Sequence, residues 1–226
     1  MNILVFQGLL LLLSCFGQPS MATQHPSQIE VPQPQQQQHR IISDEVVYSR
    51  WRKIIRRVVQ FPAGNTVDFD IVDQKGTGAV TIFAWCSKTK TATLVREYNP
   101  GCHKSLHGVA AGLIEEDKHQ CDPEIAARHE LEEECHLQGG RWYRLTADGA
   151  TVPMDKYVVT EIAAYLVIDP ETVSNPRPLD AEEDIEIISG VSVPEIFDMI
   201  RSGGMNLVGG WACMLAIEKL RELGEI

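Results

Sequence analysis

At 226 residues with 44% hydrophobic content, the chain is long enough for one domain with a sizeable core behind an N-terminal extension. Its formal net charge is −11, and residues 1–40 contribute only Glu30 and Arg40 as charged side chains, so the acidic excess belongs to residues 41–226. That balance argues against a nucleic-acid partner, and a phosphate-bearing substrate would need cations to offset the same field.

The first feature in chain order is an apolar run over residues 3–16, shorter than the ~20 residues of a membrane span and similar to the hydrophobic stretch of a secretory signal. Residues 1–20 therefore read as a signal-like targeting segment with secretory or plastid routing. Met21 offers an alternative start that would leave the protein cytosolic. Residues 21–40, with PQPQQQQ at 32–38, read as a Gln/Pro-rich linker. The domain over 41–226 is not expected to be membrane-embedded. Once Cys15 is set aside, Cys86, Cys102, Cys121, Cys135 and Cys213 are odd in number and lack framework spacing, which predicts reduced thiols.

Within the domain, residues 53–61 and 67–73 flank the turn-forming PAGN and predict a hairpin. Further strands are predicted over 79–85, 91–98, 106–111, 142–145, 158–168 and 185–188, where β-branched residues recur. Helices are predicted over 123–135, 193–202 and 210–223. Asp122 as N-cap with Pro123 at the first helical position opens the first, with Gly139 and Gly140 expected to end it. Ser192 with Glu195 marks a capping box for the second. This mixed order predicts an α/β (α+β) fold, a sheet packed by helices.

The first helix carries the chemistry. Glu130, Glu133 and Glu134, at spacings of three and four, share one helical face. As free anions they repel one another; a hard divalent cation, Mg2+ or Mn2+, converts that repulsion into ligation by oxygen. The alternative for such a run is a solvated acidic helix end.

The surrounding sequence resembles the Nudix hydrolase family, whose signature runs from a Gly through a Glu to Arg-Glu-apolar-any-Glu-Glu-any-Gly-apolar. Gly112, Glu130, Leu131, Glu133, Glu134 and Leu137 match it. His129 stands at the motif's Arg, His136 at its closing Gly, and Cys121 or Lys118 where the first Glu belongs, in a lengthened loop. LVREYNPG at 94–101, VAAGLIE at 109–115 and AEEDIEI at 181–187 are similar to flanks of the ADP-ribose and ADP-sugar pyrophosphatase branch, and the nearest resemblance is to plant and algal ADP-sugar diphosphatases.

The resemblance implies an alpha/beta/alpha Nudix sandwich with a small N-terminal antiparallel sheet that contributes to a homodimer. It implies Mg2+-dependent hydrolysis of a nucleoside diphosphate sugar, ADP-ribose or ADP-glucose, to AMP and a sugar phosphate. The implied metal ligands are Ala111 through its carbonyl, Glu130, Glu134 and Glu183; the catalytic candidates are Glu133, Glu182 and Glu183; Arg96 and Gly112 are expected to meet substrate. His129 is expected to orient Glu133 or Glu134 by hydrogen bonding. Trp85 and Tyr98 are candidates for stacking on a base, with core packing the commoner use of strand aromatics. Two other readings remain, a catalytically weak nucleotide-sugar sensor and a UDP-sugar hydrolase on the same scaffold.

Overall fold

The structure, a computed structural model, describes residues 38–74, 76–180 and 183–226. The signal-like segment, most of the linker, and Ala181 and Glu182 lie outside the described residues. Strands β1 (Arg40–Ser49), β2 (Arg52–Gln60) and β3 (Thr66–Gln74) form an antiparallel three-stranded sheet in that order. Its β2–β3 hairpin matches expectation, whereas β1 was not among the predicted strands, and its first residue falls in the expected linker. Arg57 pairs with Asp44, and Arg56 faces Glu45 across the register while bonding Asp68.

The main sheet is built from β4 (Ala79–Cys86), β5 (Thr91–Asn99), β6 (Lys104–Gly108), β7 (Ala110–Leu113), β9 (Arg141–Arg144), β10 (Val152–Pro153), β11 (Glu161–Ile168) and β13 (Ile185–Val191). Its backbone order is β10-β11-β4-β5-β13, with β6 on β5, β7 on β4 and β9 on β11. Only β11 and β4 run parallel among these pairs. A minor sheet joins β8 (Leu137–Gln138) to β12 (Glu171–Thr172). The strand expected over 106–111 is divided at Val109 between β6 and β7, because the chain leaves β5 to pair with β4. The strand expected from residue 158 begins at Glu161, since Val158 and Val159 are held by Val72 of β3 instead.

Alternation along the strands makes two cores. Phe83, Trp85, Leu94, Leu166 and Ile168 face one way, onto Ile196 of α3 (Val193–Arg201) and Ala212, Ala216, Ile217 and Leu220 of α4 (Leu207–Glu222). Val80, Ile82, Ala84, Val95, Ala163 and Val167 face the other way, onto Ala126, Ala127 and Leu131 of α2 (Pro123–Cys135). Side chains of successive strand residues point to opposite faces, so a sheet with both faces apolar needs helices on both sides. The result is the expected α/β/α sandwich with its small N-terminal antiparallel sheet. A single-turn helix, α1 (Glu116–His119), precedes α2 and was not foreseen.

Helix α2 has the expected bounds. The Asp122 carboxylate accepts from the backbone N–H groups of Glu124 and Ile125 at 2.8 and 3.4 Å, and Pro123 begins the helix. It ends earlier than the glycines expected to stop it: His136, with φ of 55°, takes the left-handed cap position. In α3, the N–H and hydroxyl of Ser192 both donate to Glu195, as the capping box predicted. The five cysteines among the described residues are free thiols, and no helix there is long and apolar enough to cross a membrane.

Candidate active site: the carboxylate face of helix α2

Burying Ala127, Leu131 and Cys135 against the sheet turns the adjoining stripe of α2 toward β7, bringing Glu130 and Glu134 under the backbone of Ala111 and Gly112. The Ala111 N–H donates to Glu134 Oε2 at 3.0 Å. Glu134 is only 6% exposed, which is rare for a carboxylate. A Cβ on Gly112 would overlap the Glu130 carboxylate, so this glycine is required for close approach of side chain to backbone. Glu133, the next in the spacing, is half-buried.

Electrostatics sets this face apart from a solvated acidic helix. Burial, then the charges of Glu133 and Glu183, pushes the Glu130 carboxyl up to about 8. Burial and the neighbouring Glu130 drive Glu134 well above the usual carboxylate range, against the lowering effect of its bond from Ala111. Burial raises Glu133 as well, with Lys118 and Arg177 opposing. Glu183, on the loop before β13, is raised by burial while its Oε2 accepts from the Asp180 N–H at 3.1 Å. Two cations stand at the margin. Lys118 pairs with Asp180 at 3.2 Å, and Arg177 pairs with Glu132 at 3.2 Å.

Among the described residues, no three His, Cys, Asp or Glu side chains are spaced to hold a metal ion as they stand. The donor chemistry nonetheless fits a hard divalent cation. Carboxylates that oppose one another's ionisation in a poorly solvated site are an all-oxygen donor set short of positive charge. Glu130, Glu134 and Glu183 are the residues that would hold it.

Other candidate residues have partners of their own. His129 orients neither Glu133 nor Glu134: its Nε2 accepts from Arg177 Nη2 at 3.2 Å, and its ring packs edge-on against buried His119 at 5.2 Å. Arg96 lies on the opposite face of β5 from Val95 and pairs with Glu186 at 3.4 Å, apart from the α2 carboxylates. Trp85 belongs to the core at 1% exposure, and Tyr98 is exposed with its hydroxyl bonded to His103 Nδ1 at 2.6 Å. Glu182 lies outside the described residues. Lys118 and Arg177, both at the cluster's margin, were missed by sequence reasoning. Lys118 had appeared only as a mismatch to the motif, and Arg177 reaches α2 from a remote loop.

No family model matches the sequence, and no curated protein does. Among solved structures, the crystal structure of an ADP compounds hydrolase superposes with a TM-score of 0.68 at 19% identity, covering 84% of this chain and 98% of that one. The fold is the Nudix-type α/β/α sandwich.

Proposed function

We propose that this protein hydrolyses the pyrophosphate bond of a nucleoside diphosphate sugar, ADP-ribose or ADP-glucose, to AMP and a sugar phosphate with Mg2+ as cofactor and Mn2+ as a substitute. The observation that carries the reading is the Glu130–Glu134 pair, half-buried and buried respectively against Gly112 and Ala111, on a fold shared with an ADP compounds hydrolase. A bound divalent cation would neutralise phosphate oxygens and lower the pKa of water.

The chain's own residues supply the rest. Glu130 and Glu134 from α2, Glu183 from the loop before β13 and the Ala111 carbonyl are the proposed ligands, with Glu133 assisting. Gly112 leaves the backbone open to the diphosphate. Glu183, or Glu182 beside it, accepts a proton from the attacking water as its oxygen bonds to phosphorus. The bridging P–O bond breaks, and one phosphate departs with the bridge oxygen. Lys118 and Arg177 moderate the negative field that an incoming diphosphate meets.

The test is a substrate panel with the full chain and Mg2+: ADP-ribose, ADP-glucose and UDP-glucose, with products separated by anion exchange. AMP from an ADP-sugar is expected, and preferential release of UMP would move the assignment to a UDP-sugar hydrolase. A folded protein that releases no nucleoside monophosphate from any of them overturns the reading. A nucleotide-sugar sensor is the second reading, favoured by the Ala111 bond that occupies Glu134 and by the absence of a ready-made ligand shell among the described residues. Metal-dependent ligand binding in calorimetry without turnover would select it.

We also propose a homodimer built through the small sheet. Every residue of β1 is exposed, including Ile41, Val46, Val47 and Tyr48, and Trp51 beyond it is 78% exposed. As the edge strand of its sheet, β1 presents these apolar side chains and suits a second copy in a two-fold arrangement.

A further inference from the structure

A cavity of about 270 Å3 opens at the start of α2, ahead of the turns that carry Glu130 and Glu134, and is lined by Asp122, Pro123, Glu124, Trp142, Arg144 and Tyr165. Strand parity gathers the sheet residues. Arg144 of β9 is the register partner of Tyr165 and Trp142 that of Val167, and Tyr165 and Val167 both face the core beneath α2. The rings of Trp142 and Tyr165 meet edge-on with centroids 6.1 Å apart and form an aromatic wall.

The decisive group is the Tyr165 hydroxyl. This residue is only 5% exposed, yet its hydroxyl has no hydrogen bond among the described residues, which is costly for a buried polar group. Burial raises the phenol first, then Arg144 opposes the rise while Glu124 and Asp122 add to it, so the charges that reach its oxygen are those of the cavity's own lining. Three further groups there are uncommitted. Asp122 caps the helix through Oδ1 and Glu124 accepts from Arg128 through Oε1, so Asp122 Oδ2 and Glu124 Oε2 have no donor among the described residues. Arg144 donates from Nε to Thr146 and from Nη2 to the Ala150 carbonyl at 3.2 and 2.8 Å, which leaves Nη1. Two acceptors, one donor and a hydroxyl that does both suit a ligand whose own groups donate and accept. The charges also cancel: Asp122 and Glu124 stand against Arg144 and against Arg128, whose guanidinium lies 4.6 Å from the centre of the Trp142 ring. A neutral ligand fits that balance.

We propose that this cavity binds a small neutral polyhydroxyl compound, a single sugar ring, whose hydroxyls donate to Asp122 and Glu124, accept from Arg144 and meet the Tyr165 hydroxyl. Its volume lies just below the ~300–1,000 Å3 of sites for drug-sized ligands, which favours one ring over a nucleotide. The aromatic wall faces the ring's C–H groups. The site is separate from the carboxylate face of α2 and does not depend on the hydrolytic reading above.

The experiment is saturation-transfer NMR of the full chain titrated with D-glucose, D-ribose and, as a zwitterion, L-glutamine, for wild type, Tyr165→Phe and Glu134→Gln. Thermal melts confirm that each variant is folded, and Tyr165→Phe keeps the ring while removing only the unpartnered oxygen. Wild type should bind glucose or ribose and not glutamine. Tyr165→Phe should weaken that binding about fivefold or more, as loss of one buried hydrogen bond would. Glu134→Gln should bind as wild type does. No transfer to either sugar overturns the proposal, and so does glutamine binding at the strength of the sugars or a Tyr165→Phe titration that superposes on wild type. Weakening by Glu134→Gln would assign the sugar to the carboxylate face and overturns it as well.

Discussion

Gly112 and Glu130 form the contact on which the site's geometry depends, since any side chain at residue 112 would occupy the space of the carboxylate. Gly112→Ala should therefore displace the Glu130 carboxylate, the mobile end of a flexible side chain, with little loss of stability, and should reduce turnover more than Glu132→Gln does. Urea unfolding beside initial rates checks both. Glu130 also makes metal-free stability depend on pH. Its folded carboxyl titrates at about 8 against an ordinary 4.5, so the unfolded chain releases this proton first. The stabilising contribution is complete below the lower value and is lost as pH rises through the upper one. Thermal melts in EDTA should fall across that window, and Glu130→Gln should flatten the fall; parallel profiles for the two proteins would contradict this assignment.

Helix α2 combines two opposing requirements, an apolar stripe that anchors it and an acidic stripe that anchoring forces out of water. Leu131 is fully buried between them, and Leu131→Ala should cost about 2–5 kcal/mol through lost transfer energy and a residual cavity. At the other end of the helix, His136 holds a left-handed conformation with φ of 55°, which glycine adopts without the Cβ penalty. His136→Gly should raise stability by about 0.5–1 kcal/mol after the entropy that glycine gains in the unfolded chain is deducted. Denaturant midpoints decide both. The bounds of α2 were legible because its start has a local chemical cause, Asp122 followed by Pro123. Its last residue matches expectation, but the stop signal was assigned to Gly139 and Gly140, because sequence gives no sign that a histidine will accept the left-handed conformation. Single-turn α1 lacks any periodicity to read. The role of His129 was misread because its partner, Arg177, is 48 residues away in sequence, and only tertiary structure joins them.

At the scale of the molecule, the mixed order of strands and helices predicted a sheet packed by helices, and the sandwich was what the resemblance implied. Strand β1 was not readable: RIISDEVVYS follows a Gln-rich stretch, and all ten of its residues are exposed, so no buried face imposed a pattern. That exposure is the basis for expecting a dimer. Light scattering on the full chain should give twice the mass of one chain, and Val46→Lys with Tyr48→Lys should return it to one; an unaltered wild-type monomer would contradict the pairing. The candidate site was legible in its helical half, because spacing alone aligns Glu130, Glu133 and Glu134. Ala111 and Gly112 of the sheet and Glu183 of a loop were named through the resemblance, whereas Lys118 and Arg177 were not, because they reach the cluster only through chain return.

The central claim is that the glutamates of α2 enable this chain to split a diphosphate bridge with a bound divalent cation. Phosphorus NMR of ADP-ribose incubated with the full chain and Mg2+ tests it most directly, with Glu134→Gln and an EDTA-treated sample alongside. Wild type should convert the diphosphate resonances into two monophosphate resonances, while both controls leave them intact. Diphosphate that survives folded wild type, or that Glu134→Gln cleaves at the wild-type rate, would contradict the account.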